Sequence, residues 1–231
     1  MRFLIILLLV AATVQAQNTR FIYRYSYISD STKPADTKST LLALDVTRDN
    51  SIFFSYEKYR ADSLTHAVIK KQNAVGSTEV LVPNNYIGDI HYLIEEFGNP
   101  KKVYITDQLG SDNFRVFDAR KIKWKILSEK QMIGKYPAQK AEAQMYGRKW
   151  TAWFATEIPI QDGPYKFHGL PNLIVKIEDQ TGTHTFALEA VQKTVDPISK
   201  EIFLMGEAAE INYAQFVKLF REFRNDPAKS L

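Results

Sequence analysis

The chain has 231 residues, no cysteine and a formal net charge of +4 at pH 7. Without cysteine, the composition excludes thiolate catalysis, iron–sulfur clusters and cysteine-rich zinc sites. The charge is small, and lysine and arginine alternate with aspartate and glutamate along most of the sequence, so we expect no nucleic-acid partner.

The first sixteen residues have the organisation of a secretory signal peptide. Arg2 supplies a positive charge, and an uninterrupted apolar run follows from Phe3 to Val10. This run is too short for a transmembrane helix, which needs about 20 apolar residues. We therefore predict a signal peptide over residues 1–16, cleaved between Ala16 and Gln17.

The remaining residues, 17–231, are numerous enough to bury a core without disulfide bonds, and we predict that they form a single domain. Removal of the signal peptide takes away one positive residue, Arg2, which lowers the net charge from +4 to +3. The mature domain is expected in the periplasm or outside the cell, with no transmembrane anchor after cleavage.

The first half of the domain reads mainly as strands. Aromatic side chains alternate with other residues from Phe21 to Tyr27, a period of two that indicates a strand with an aromatic face. A second strand is predicted at Thr40–Thr47, and a third begins at Ser51. A helix is predicted from Arg60 to Asn73, with Leu64, Val68 and Ala61 on one face.

The middle of the sequence is less regular. Residues 83–100 are ambiguous between a short helix and an irregular loop. Residues 101–108 and 113–127 read as a hairpin with a short first strand and a long second strand. Two further pairs of strands follow, over residues 138–160 and 172–194, each joined by a glycine-containing turn.

The C-terminal segment predicts an amphipathic helix, because Phe216, Leu219, Phe220 and Phe223 fall at helical spacing. Consecutive strands joined by short turns form antiparallel sheets, and helices kept apart from them cover a sheet face. We therefore predict an α+β fold that is mostly antiparallel β, with a few helices that include the C-terminal one.

Familiar catalytic and cofactor motifs are missing from the sequence. There is no glycine-rich phosphate loop, no metalloprotease helix motif and no nucleophile elbow. The four histidines are scattered, and none forms an i, i+4 pair that would hold a metal on a helix. We therefore predict no metal site and no cofactor.

Residues 158–179 form the most distinctive segment, in which four glycines and prolines separate two apolar runs. Pro159 and Pro164 are expected to end one strand, and the turn residues after them bend the chain into the next. Tyr165, Phe167 and Leu170 are expected to fix this corner to the core. The interpretation is structural rather than catalytic.

The sequences GPYKFHGLPNLIVKIED and, upstream, IGKYPAQKAEAQMYGRKWTAWFATEIPI resemble the GLPGLI family, secreted proteins of two-membraned bacteria. The resemblance is strongest over residues 124–188. Asn172 stands where the family name has glycine, and Ala138 and His168 stand where many relatives carry cysteine. The resemblance implies an extended antiparallel sheet, similar to the curved half-barrels of periplasmic lipoprotein carriers, and it assigns no catalytic residue.

These features favour a non-enzymatic binding or accessory protein of the cell envelope. A curved sheet would hold an apolar small molecule or a segment of an envelope protein partner in its concavity. The candidate contacts are Trp153, Tyr165, Phe167 and His168.

Two alternatives remain open at this stage. The first is a hydrolase-like enzyme that uses His168 with Asp162 or Glu157, which requires the side chains to converge in a cleft. The second is a structural component of an envelope complex, which would present an exposed apolar patch.

Overall fold

The computed structural model describes residues 18–30, 32–33, 35–76, 90–194, 198, 203 and 206–226. The predicted signal peptide and its cleavage site between Ala16 and Gln17 lie outside the described residues. Within them, no helix combines the length and the apolar character needed to cross a membrane.

In the described part of the chain, twelve strands form one sheet, and two helices accompany it. In chain order the elements are β1 (Asn18–Ile28), β2 (Thr37–Val46), β3 (Asn50–Ser55), α1 (Tyr56–Ala74), β4 (Leu93–Phe97), β5 (Lys102–Leu109), β6 (Asp112–Asp118), β7 (Lys125–Ile133), β8 (Tyr136–Met145), β9 (Arg148–Ala155), β10 (Ile174–Asp179), β11 (His184–Thr194), β12 (Ala208–Asn212) and α2 (Tyr213–Asn225).

The order across the sheet is β12-β6-β5-β4-β3-β2-β1-β11-β10-β9-β8-β7. Neighbouring strands are antiparallel throughout, except that β12 runs parallel to β6. The mostly antiparallel fold class predicted from the sequence is therefore confirmed.

The connection between β6 and β7 requires the sheet to curve. These strands are ten positions apart in the sheet order, which would separate them by about 48 Å if the sheet were flat. Residues 119–124 join them, and the seven chain steps from Asp118 to Lys125 span at most about 25 Å. The sheet therefore curls, and the connecting segment bridges its two ends as in a half-barrel.

The core lies against the middle strands of the curve. Phe21 and Tyr23 on β1 are 1% and 0% exposed, and they pack with Phe53 on β3 and Phe186 on β11. The Tyr23 hydroxyl donates a hydrogen bond of 2.8 Å to the carbonyl oxygen of Ile174 on β10. The aromatic face predicted for β1 therefore points into the core along the first half of the strand.

Helix α1 begins at Tyr56, four residues before the predicted start, because the Ser55 side chain caps it by accepting from the Lys58 N–H. The face that packs is formed by Ala61, Asp62 and Thr65 rather than by Leu64, which is 57% exposed. The prediction that Leu64 lies on the packed face was wrong.

Two further predictions fail in the middle of the chain. Residues 93–97 form strand β4 rather than a helix or loop, and the predicted long strand over residues 113–127 divides into β6 and β7. Two acidic residues at the centre of β4, Glu95 and Glu96, conceal the strand pattern, although both are buried and ion-paired. The hairpin formed by β5 and β6 is confirmed.

Helix α2 forms where the amphipathic pattern predicts it. Asn212 and Gln215 make a reciprocal capping box at its N-terminus. The helix packs against β6 and β12, with Phe216 against Phe114 on β6 at a ring-centroid distance of 6.4 Å. Phe220 remains 46% exposed.

Candidate functional site

Residues 156–173, which we call the central loop, connect β9 to β10 and cross the inside of the curved sheet. Lys166 Nζ in this loop lies 3.2 Å from the carboxylate of Asp118 on β6, and His168 Nδ1 lies 3.2 Å from Glu96 on β4. Strands β4 and β6 belong to the opposite half of the sheet order from β9 and β10. A loop that reaches both halves lies on the concave side.

The packing of the central loop agrees with the corner interpretation. Phe167 and Leu170 are 0% and 1% exposed and belong to the main core. Gly163 is required by close packing, because a Cβ atom there would lie 2.6 Å from the Phe167 carbonyl oxygen and 2.8 Å from Ile174 Cδ1. The middle of the loop, residues 162–167, is therefore packed into the fold, whereas Glu157 near its start is exposed.

An aromatic pocket of about 240 Å³ opens beside the central loop. Six phenyl, phenol or indole rings, one imidazole and one guanidinium surround it. These groups come from β1, β9, β11, the central loop, the β8–β9 turn and the segment before β4. The side chains are Tyr25, Tyr92, Tyr146, Arg148, Trp150, Tyr165, His184 and Phe186.

Two tyrosines in the pocket wall have unusual backbone conformations. Tyr146 has φ of 54° and Tyr165 has φ of 57°, and in the described part of the chain no other non-glycine residue has positive φ. Their rings contact each other edge to face, with centroids 6.0 Å apart. Such conformations cost about 1–3 kcal/mol each and concentrate at functional sites.

A layer of charge lies behind these two rings. Lys166 Nζ is 4.2 Å from the Tyr146 ring centroid and 4.6 Å from that of Tyr165, which places a cation on one face of each ring. The Arg120 guanidinium lies between Tyr146 at 4.4 Å and Tyr213 at 3.7 Å. Asp118 accepts from both cations, at 3.2 Å from Lys166 and 2.7 Å from Arg120.

Burial and the neighbouring charges shift the pKa values of the groups in this layer. Burial lowers the pKa of Lys166 to about 8, although the adjacent Asp118 opposes the change. Burial would raise the pKa of Asp118, but the hydrogen bond from Arg120 and the charge of Lys166 outweigh it, so that this pKa lies below its ordinary value. Burial also raises the pKa of Tyr165 and Tyr146, which stay protonated near neutral pH.

Arg148 stands at the open side of the pocket. Its Nη1 atom donates to Asp179 Oδ2 at 2.6 Å, and its side chain is 39% exposed. Asp179 is buried and also accepts from the Thr181 hydroxyl and the His184 backbone N–H. Also in the pocket lining, the Tyr25 hydroxyl and His184 Nδ1 are 2.7 Å apart.

A second set of charges, which we call the polar cluster, consists of Glu96, Lys101, Asp162 and His168. Lys101 Nζ lies 2.9 Å from Glu96 Oε2 and 2.5 Å from Asp162 Oδ2, while His168 hydrogen-bonds Glu96 Oε1. Both carboxylates have side-chain exposures of 3%. The polar cluster therefore fastens the central loop to β4 and to Lys101 in the turn that follows it.

Each pKa in the polar cluster departs from its ordinary value. Burial opposes the charge of His168, but the hydrogen bond to Glu96 and the charge of that carboxylate outweigh it and raise the pKa. Burial would raise the pKa of Glu96, yet His168 and Lys101 lower it. Burial and the nearby Glu96 raise the pKa of Asp162 in spite of Lys101.

The structure separates the four predicted binding residues. Tyr165 lines the aromatic pocket, whereas Phe167 is buried behind it and packs on Trp150 with centroids 4.7 Å apart. Trp153 is 9% exposed and lies three positions after Trp150 on β9, so strand alternation directs it away from the pocket. His168 lies in the polar cluster instead.

The hydrolase alternative requires the His168 side chain to converge with Asp162 or Glu157. The partner of His168 is Glu96, in the segment that the sequence left ambiguous, and the His168 Nδ1 atom is also 3.1 Å from the Lys166 carbonyl oxygen. Among the described contacts, no direct hydrogen bond joins His168 to Asp162 or to Glu157, and Glu157 is exposed.

Sequence reasoning missed most of the aromatic pocket. Tyr25 was recognised only as part of an aromatic row, while Arg148, His184 and Phe186 gave no signal. These residues meet because β11 pairs with β1, which places Phe186 opposite Tyr25 and His184 opposite Tyr27. The pairing of the first strand with a strand near the end of the chain leaves no local pattern.

The protein belongs to the α+β class, with a curved, mostly antiparallel sheet that encloses a loop and an aromatic pocket. A family model described as a protein of unknown function (Porph_ging) matches residues 145–176, and this segment is therefore similar to that family. The match includes Tyr146, Arg148, Trp150 and Tyr165. The resemblance to the GLPGLI family by name stays a prediction. No curated protein matches the sequence.

Two solved structures have a similar fold. Both are of PNGF-II, in space groups C2 and P21, with 14% and 13% sequence identity and a TM-score of 0.61 in each case. They cover 88% of this chain and 32% and 33% of the PNGF-II chain. The chain thus spans about a third of the length of PNGF-II, and identity this low shows the fold alone.

Proposed function

We propose that the protein is a non-enzymatic binding protein of the cell envelope that holds one flat apolar group in the aromatic pocket. The observation that carries the proposal is the convergence of six phenyl, phenol or indole rings on one open cavity. Concave sites lined by aromatic side chains with a few polar groups are the usual form of ligand sites.

The size of the pocket defines what it would take. A volume of about 240 Å³ corresponds to the share of about eight water molecules in the liquid, at about 30 Å³ each. Sites for drug-sized ligands are larger, at about 300–1,000 Å³. We therefore assign to the pocket a single ring or a side chain of comparable size, rather than an entire lipid.

The wall of the pocket supports a binding role because it is held in place before any ligand arrives. The backbone of Tyr146 and Tyr165 is strained, and Lys166 and Arg120 pack on their rings from behind. Tyr25 stacks on Phe186 with centroids 4.3 Å apart. Rigid aromatic side chains bind with a small loss of conformational entropy.

The site of action is part of the proposal. The predicted signal peptide over residues 1–16 favours export to the periplasm or the medium, where the ligand would be a small molecule or a segment of an envelope protein. The structural-component alternative receives less support, because the large apolar residues that are exposed are distributed over α1, β7, β11 and α2.

The proposal is tested by comparing Tyr25→Leu with Tyr27→Leu. Both tyrosines lie on β1 and stack on each other, but only Tyr25 lines the pocket. Isothermal calorimetry with 3-phenylpropanamide, and mass spectrometry of small molecules and peptides retained on purification, would be applied to the mature protein and both variants.

We expect the wild type and Tyr27→Leu to bind the amide and to retain the same molecules, whereas Tyr25→Leu weakens binding about tenfold. The reason is the loss of one stacking ring, worth about 0.5–1.5 kcal/mol beyond its buried area. If neither phenyl probes nor any retained molecule binds the wild type, the proposed function is wrong.

A further inference from the structure

Building on the proposed function, we infer that the ligand of the aromatic pocket carries an anionic group and that Arg148 binds this group. The chemical class is a flat ring joined by a short chain to a carboxylate or to another oxyanion. The anchoring ring lies among the tyrosines, and the anion lies at the open side.

Arg148 has unused hydrogen-bonding capacity. A guanidinium carries five N–H donors in a planar fork, and the Arg148 side chain uses only one nitrogen, Nη1, on Asp179. Among the described residues, the Arg148 side chain makes no other hydrogen bond. The side chain is partly exposed beside the rings, so the remaining nitrogens are accessible to a ligand from the pocket opening.

Asp179 holds Arg148 in position rather than simply neutralising it. This carboxylate is fixed by the Thr181 hydroxyl and by the His184 N–H, in addition to Arg148. Burial would raise its pKa, but these hydrogen bonds lower it, so the carboxylate is ionised at neutral pH. A guanidinium fixed in this way binds a second oxyanion without the entropy cost of ordering a free side chain.

The charges around the rings disfavour a cationic ligand. Aromatic cages bind ammonium groups through the negative faces of the rings. Here Lys166 already occupies a face of Tyr146 and of Tyr165, and Arg120 occupies a face of Tyr146. Among the described residues, no acidic side chain lines the pocket. The field at the site is therefore suited to an anionic or electron-rich group.

The remaining polar groups of the pocket are consistent with this assignment. Burial and the charge of Arg148 lower the pKa of His184, so its imidazole is neutral near pH 7. Burial raises the pKa of Tyr25 above its ordinary value, which keeps the phenol protonated. Arg148 is thus the one permanently charged side chain in the pocket lining.

Three probes of matched shape test the inference. They are 3-phenylpropanoate, its neutral isostere 3-phenylpropanamide and the cation 3-phenylpropylamine, titrated into the mature protein by calorimetry at low salt. We expect the carboxylate to bind about tenfold more tightly than the amide, because charge-assisted hydrogen bonds are about twice as strong as neutral ones. The amine is expected to bind most weakly.

The variants Arg148→Gln and Lys149→Gln locate the effect. Both remove one positive charge from β9, but Lys149 is the next residue along the strand, is exposed and does not line the pocket. We expect Arg148→Gln to abolish the preference for the carboxylate over the amide, and Lys149→Gln to keep this preference.

Replacement of Arg148 could unfold the protein by leaving Asp179 unpaired. Two measurements on the wild type therefore test the inference without a variant. The affinity for the carboxylate should fall as the salt concentration increases from about 0.05 to about 0.5 M, while the affinity for the amide should not change. The Arg148 Nε–H resonance should shift with the carboxylate only.

The outcomes separate the two proposals. Equal affinities for carboxylate and amide, or an unshifted Arg148 resonance, would overturn the role of Arg148 and leave the aromatic pocket as a binding site. Failure of all three probes to bind, together with the absence of any molecule retained on purification, would instead overturn the proposed function itself.

Discussion

At the scale of single residues, the polar cluster shows how a partly buried histidine can be structural. His168 contacts Glu96 through Nδ1, and its neighbours Lys101 and Asp162 complete a set in which each charge has an opposite partner. A buried ion pair that loses one partner leaves an uncompensated charge, which is strongly destabilising. His168 therefore fastens the central loop to β4.

The stability of the protein should depend on pH through His168. The pKa of His168 is higher in the folded state than in the unfolded state, where it is about 6.5. The stability that His168 contributes is therefore fully present below about pH 6.5 and is lost as the pH rises through the folded-state pKa. The free energy of unfolding, measured with urea, should decrease more between pH 6 and pH 9 in the wild type than in His168→Gln.

The other titrating groups do not obscure this comparison. Lys166 acts in the opposite direction, because its pKa is lowered to about 8 and the stability it contributes increases as it loses its proton. That contribution is common to both proteins and cancels in the difference. The pKa of Glu96 is lowered by His168 and Lys101, so this carboxylate is ionised throughout this pH range. Identical pH dependence in wild type and variant would show that His168 does not stabilise the fold in this way.

At the scale of elements, α2 is attached to the site through its first residue. Tyr213 begins the helix and stacks on Arg120, which also contacts Tyr146 in the pocket wall and pairs with Asp118. The helix has no fully buried residue of its own. Arg120 therefore contributes to the docking of α2, together with the contact of Phe216 with Phe114.

Replacement of Arg120 by Gln should loosen α2. We expect the free energy of unfolding to decrease by about 1–2 kcal/mol, a value reduced for the partial exposure of Arg120, and amide hydrogen exchange over residues 213–225 to accelerate. Arg221→Gln is the matched control, because Arg221 is an exposed residue of α2 itself. Equal exchange rates in the two variants would contradict the attachment.

Local patterns predicted some elements well and others poorly. The aromatic alternation of β1 and the helical spacing of α2 identified both elements, because each pattern repeats along one face. Strand β4 was missed because Glu95 and Glu96 interrupt its apolar pattern, and their partners Arg115 and Lys101 lie elsewhere in the sequence. The break between β6 and β7 has no glycine or proline to mark it.

The candidate site was predictable only in part for a related reason. Tyr165 was identified from the turn-rich motif, and Phe167 was expected to fix the corner to the core, where it is buried. The rest of the pocket depends on the pairing of β1 with β11, which joins residues more than 150 positions apart. Such long-range pairing carries no signal in a single sequence.

At the scale of the whole molecule, the curvature of the sheet creates the site. The connection through residues 119–124 draws the ends of the sheet together, and the central loop fills much of the concave side. Trp124 in that connection donates to the His168 carbonyl oxygen at 2.8 Å and so joins the two segments. The space left between this filling and β1, β9 and β11 is the aromatic pocket.

The most direct test of ligand binding in the aromatic pocket uses the three tryptophan indole N–H signals in a nuclear magnetic resonance titration with 3-phenylpropanoate. Trp150 lines the pocket and donates its indole hydrogen to the Met145 carbonyl oxygen at 3.0 Å, whereas Trp153 does not line it. Substitution of each tryptophan by phenylalanine would assign the signals. We predict that the ring current of the bound probe shifts the Trp150 signal most and leaves the Trp153 signal nearly unchanged. A saturating probe that leaves Trp150 unshifted, or that shifts Trp153 more, would contradict binding in the aromatic pocket.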